Sequence, residues 1–74
     1  MNPNVLRQLT DTRERAVAYS KAFPCIAVVY LFKPVGCDEF CGAALKLYVD
    51  EQPADVWDAD GYIGESVMSF ERKQ

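Results

Sequence analysis

The sequence contains no histidine. That absence removes the commonest general base near neutral pH, the usual activator of a serine or cysteine nucleophile, and the commonest metal ligand. Cysteine is scarce: Cys25, Cys37 and Cys41 are odd in number and too few for a secreted disulfide scaffold, so they read as reduced thiols. No apolar run approaches the roughly 20 residues of a membrane span, and the N-terminus lacks the basic-then-apolar pattern of a signal peptide. A cytoplasmic protein is the expectation. There is no Gly-rich phosphate loop and no Gly-x-Ser-x-Gly elbow. We therefore assign no catalytic residue and no cofactor, and expect a protein that is not an enzyme.

What is present is apolar and compact in pattern. Half of the 74 residues are hydrophobic, which argues against disorder, and the length suits a single domain over residues 1–74. A chain of this size buries only about 60% of the surface its unfolded state exposes, so its stability is modest. The organising stretch is Cys25-Ile26-Ala27-Val28-Val29-Tyr30-Leu31-Phe32, entered through Pro24 and left through Lys33-Pro34. β-Branched and aromatic residues between such breakers predict a strand. Alternation puts Cys25, Ala27, Val29 and Leu31 on one face and Ile26, Val28, Tyr30 and Phe32 on the other, and both faces want cover.

The remaining elements are read around that strand. Asn2-Pro3 starts a helix over residues 3–22, with Val5, Leu6, Leu9, Ala16, Val17 and Phe23 as its apolar positions. The polar Thr10-Asp11-Thr12 leaves room for a kink or a restart near Thr12, one helix being the favoured reading, and Pro24 ends the helix. Lys33-Pro34-Val35-Gly36 suits a turn with Pro34 second. Residues 43–49 alternate, with Leu45, Leu47 and Val49 opposed to Ala44, Lys46 and Tyr48. A final strand over 62–72 places Tyr62, Ser66, Met68 and Phe70 on one side and Ile63, Glu65, Val67 and Ser69 on the other, with Gly64 marking a bulge or a close backbone approach. The expected fold is α+β: one N-terminal helix packed on a three-stranded antiparallel sheet, order α-β-β-β, with a fourth strand if Val56–Ala59 pairs with Tyr62–Glu65. Short connections favour a meander. One helix covers one face of such a sheet. The other is covered by a lid formed around Phe40 and Trp57, or it is a dimer or partner interface.

Three constellations could carry chemistry. Cys25, Cys37 and Cys41 with Asp38 or Glu39 would make an incomplete zinc set, lacking the second close pair that structural zinc sites use. Asp58-Ala59-Asp60-Gly61-Tyr62-Ile63 resembles the middle of an EF-hand loop. It fails at both ends, where Val56 and Val67 stand at ligand positions, and an acidic hairpin turn explains it more simply. Asp58 and Glu65 as an acid/base pair would need a concave, partly dry site for which one small sheet has little room.

Charge is the remaining signal. The net −3 conceals +3 over residues 1–36 and −6 over residues 37–74. Asp50, Glu51, Asp55, Asp58 and Asp60 fall within eleven residues, and Asp38, Glu39 and Glu65 are expected nearby in space. Such a run is either a solvated acidic surface or a carboxylate array that occupies a basic surface normally reserved for phosphates, pairing with arginines and mimicking nucleic-acid backbone charge. The expected partner-binding residues are Asp50, Glu51, Asp55, Trp57, Asp58, Asp60, Tyr62 and Glu65, with the aromatics as anchors. The partner is a basic protein surface, not nucleic acid directly and not a membrane, and the chain is a monomer or homodimer.

In length, charge and one-helix format the chain resembles the small phage-encoded inhibitors of the anti-CRISPR type. The resemblance lies in format and brings no functional positions with it. It implies a non-catalytic inhibitor, acting in the cytoplasm of a bacterial host by blocking the nucleic-acid-binding channel of a CRISPR effector complex. The alternative expectation is a small structural or accessory subunit that dimerises through an exposed apolar sheet face.

Overall fold

The computed structural model describes residues 2–56 and 60–73, and the side chains of Asp55 and Val56 lie outside that description. Its elements are α1 (Pro3–Ala22), β1 (Cys25–Pro34), β2 (Gly42–Val49), β3 (Gln52–Val56) and β4 (Tyr62–Arg72). The helix begins as its sequence dictates. The Asn2 side chain accepts from the Asn4 backbone N–H at 2.8 Å, and proline occupies the first turn, where its missing N–H costs nothing.

α1 runs as the single helix expected over residues 3–22, with no break at Thr10–Thr12. Thr12 is 4% exposed, and its hydroxyl donates to the Gln8 carbonyl at 2.7 Å, so burial leaves no polar atom unpaired. The buried stripe therefore follows Val5, Leu9, Thr12, Ala16, Tyr19 and Phe23, at alternating steps of four and three, while Leu6 faces water. The chain leaves the helix at Phe23, which is extended and donates its N–H to the Tyr19 carbonyl at 3.2 Å.

All strand pairs are antiparallel, and the spatial order is β3-β2-β1-β4. Three hairpin-linked strands with the fourth returning beside the first make a Greek key, not the expected meander. β3 pairs with β2 on the edge remote from β4, and Val56 stands opposite Lys46; the rest of the expected pairing of Val56–Ala59 with Tyr62–Glu65 falls on residues 57–59, outside the described residues. Pro53 explains β3's place, since a residue without an N–H is confined to an edge. β1 lies between β2 and β4, which supply hydrogen-bonding partners on both of its sides.

The turns are set by backbone sign. Asp50 and Glu51 both have positive φ, 52° and 64°, and join Val49 directly to Gln52 in a two-residue loop of the type I′ kind. The other hairpin begins with a turn over Pro34–Cys37, in which the Cys37 N–H donates to the Pro34 carbonyl at 3.0 Å. Pro34 is thus first in this turn, not second, and Gly36 holds the third position with φ 89°.

β4 carries a bulge, and it decides the faces. Met68 stands opposite Val29 while Ser66 stands opposite Tyr30, leaving Val67 as the extra residue. Simple alternation along residues 62–72 therefore fails: Met68 and Phe70 join the helix side, and Tyr62 and Ser66 stay on the other. Gly64 is not the bulged position. The core beneath α1 comprises Ala16, Cys25, Ala27, Val29, Leu45 and Leu47, with Met68 and Phe70 packed against it. Arg72 Nη1 donates to the Lys21 carbonyl at 2.7 Å, tying the end of β4 to an orphan carbonyl in the last turn of the helix.

Candidate interaction surface

Register places the second face of the sheet residue by residue. Residues directly opposite in an antiparallel pair share a face. Since Ala27 and Val29 lie under α1, Ile26, Val28, Tyr30 and Phe32 face away from it. They are joined there by Ala44, Lys46 and Tyr48 of β2 and by Tyr62, Ser66, Ser69 and Glu71 of β4. This face has no layer of secondary structure over it among the described residues. Ile26 is 37% and Tyr62 43% exposed.

The face is ordered by its own side chains. The Phe32 and Tyr62 rings meet edge to face, centroids 5.6 Å apart, and the Lys46 ammonium lies 4.6 Å from the centroid of the Tyr30 ring. Phe40, expected as part of a lid, is engaged elsewhere. The Lys33 ammonium sits 5.3 Å from its ring, and Lys33 belongs by register to the helix side, where Phe40 lines a depression shared with Asn2. Trp57 lies outside the described residues.

Among the described residues, the sequence-predicted carboxylates Asp50, Glu51, Asp60 and Glu65 do not stand together. Asp50 and Glu51 form the β2–β3 turn, beside Ile26, Tyr48 and Glu71. Asp60 lies at the opposite end, next to Gly61, whose carbonyl accepts from the Val35 N–H at 2.9 Å. Eight positions of β1 separate Ile26, opposite Tyr48, from Pro34, opposite Tyr62, which is about 26 Å of strand. Glu65 stands opposite Leu31 and so lies on the helix side, away from Tyr62. Asp58 and the side chain of Asp55 fall outside the description. Of the expected partner-binding residues that are described, Tyr62 is placed on the open face itself, Asp50 and Glu51 mark one end of it and Asp60 the other; Trp57 and Asp58 lie outside the described residues.

The cysteines are likewise dispersed. Cys25 is buried under α1 at one end of β1, and Cys37 and Cys41 are exposed in the loop at the other, so the three cannot share an ion in this fold. Among the described residues no group of three or more Cys, Asp or Glu side chains could hold a metal. No described helix is long and apolar enough to cross a membrane.

Sequence alternation identified Ile26, Val28, Tyr30 and Phe32 as one face but not as the open one. Lys46, Ser69 and Glu71 were missed as members of it, because their placement follows from strand pairing. No protein-family model matches this chain, and neither a curated protein nor a solved structure does.

Proposed function

We propose that the protein is a non-catalytic binding protein that assembles with another protein through the open face of its sheet. The observation that carries this reading is the row Ile26, Val28, Tyr30 and Phe32 in the middle strand, bordered by Tyr48 and Tyr62, on the side opposite α1. Aromatic anchors in an apolar centre with charge at the margins is the anatomy of a protein interface. The carboxylates fit this as rim: Asp50 and Glu51 at one end, Asp60 at the other.

The shape supports the same reading. The accessible surface is 4989 Å², against about 4,600 Å² for a compact monomer of this mass, and the radius of gyration is 12.6 Å against about 11.3 Å. Among the described residues this two-layer slab leaves one broad face without a covering layer. At roughly 25 cal/mol per Å², even part of that face forgoes several kcal/mol in a small protein.

Site-specific photo-crosslinking tests the proposal. A benzophenone side chain placed at Ile26, and separately one at the exposed helical Glu14, is activated in cells that make the protein. Adducts from position 26 with none from position 14 are expected. Equal labelling from both positions, or none from position 26, refutes the reading.

A further inference from the structure

We infer that the partner which covers this face is a second copy of the same chain, stacked sheet to sheet about a two-fold axis parallel to the strands. The inference rests on the open face being a binding surface and adds who binds it. Three features of the face are self-complementary.

The first is charge. Lys46 is opposite Val28 on β2, and Glu71 is opposite Ile26 on β4, so among the described strand positions of the face there is one ammonium and one carboxylate, inside the rim of Asp50, Glu51 and Asp60. They stand two strand spacings apart and two residues out of line, about 12 Å in all, and do not meet within one copy. Lys46 lies over Tyr30 instead, and the Glu71 carboxylate is 3.8 Å from Lys73. An axis running between β1 and β2 lays β1 of each copy over β2 of the other and β4 over β3. Lys46 of one copy then becomes the diagonal neighbour of Glu71 of the other, within reach of its four-carbon stem, and symmetry makes the contact twice.

The second feature is shape. Across the β1–β2 pair, Tyr30 faces Ala44. The same axis sets Tyr30 of each copy over Ala44 of the other, large against small, which is how two sheets about 10 Å apart interdigitate. The third is size. The molecule's outline of 40 × 24 Å provides room for the roughly 800 Å² per partner that a stable dimer buries. The assembly is a four-layer α/β/β/α sandwich whose centre is the pair of open faces.

The experiment uses the full chain and its mass in solution by sedimentation equilibrium, with circular dichroism confirming that each variant folds. The wild type is expected at twice the 8.3 kDa chain mass. Lys46→Glu and Glu71→Lys each place like charges across the axis, and each is expected to weaken the dimer at least about tenfold. Mixed in equal amounts, the two variants restore both contacts, and the heterodimer is expected to form as tightly as the wild type. Should Lys46→Glu fail to fold, the exposed Glu71→Lys carries the weakening test alone.

A single-chain mass at every concentration up to about 1 mM overturns the inference. So does a dimer that both substitutions leave unchanged, or a mixture that stays monomeric. If the chain is monomeric while the crosslinker at position 26 captures a different protein, the second copy is excluded and the open face keeps its role.

Discussion

Gly42 opens β2 where three groups converge. A Cβ built there meets the Phe32 ring and lies 2.8 Å from Gln8 Oε1, the atom that accepts from the Ala43 N–H at 3.3 Å. Among the described residues β3 pairs with the far half of β2, and the Gln8 amide supplies a partner at the near end. Gly42→Ala should therefore cost about 1–3 kcal/mol, by displacing both neighbours, and a denaturant titration will show it as a lower midpoint with unchanged slope. The turn residue Glu51 is a case of the opposite sign. It holds φ 64° without being glycine. Glu51→Gly should raise stability by about 0.5–1 kcal/mol, seen as a melting temperature several degrees higher.

Among the elements, β4 depends most on a single residue. Val67 lets one strand present Met68 and Phe70 to the helix and Tyr62 to the open face. Deleting Val67 restores strict alternation, so either the Met68–Phe70 pair or the Tyr62–Phe32 contact must turn to the wrong side. The expected loss is about 3 kcal/mol, the transfer value of one to two apolar side chains, measurable by chemical denaturation. α1 shows how a polar residue can serve an apolar stripe. The bond from Thr12 to the Gln8 carbonyl lets a hydroxyl lie against the sheet, and the helix continues where its sequence is least apolar.

At the scale of the whole molecule, the flat two-layer shape makes stability and association one question. If two chains share their open faces, unfolding releases two chains from one particle, and the melting temperature must rise with protein concentration. A series of scans over a hundredfold range of concentration should show that rise for the wild type and not for Glu71→Lys. A melting temperature independent of concentration would contradict association of the folded chains.

Much of the architecture is local and was therefore legible in the residues themselves. Asn2-Pro3 starts the helix and Pro24 ends it; the apolar run from Cys25 is a strand; Leu45, Leu47 and Val49 share a face. These follow from capping geometry, proline's missing N–H and the two-residue period of a strand, none of which needs a distant partner. The arrangement of carboxylates was not legible, because closeness in sequence is not closeness in space when a Greek-key connection carries the chain from one edge of the sheet to the other. Asp50 and Asp60 are ten residues apart and stand at opposite ends. The face of β1 that α1 covers, the bulge at Val67 and the company of Lys46 and Glu71 were decided by tertiary structure alone. Each is a matter of register between strands, which local chemistry permits in several ways and only packing against a common core makes single.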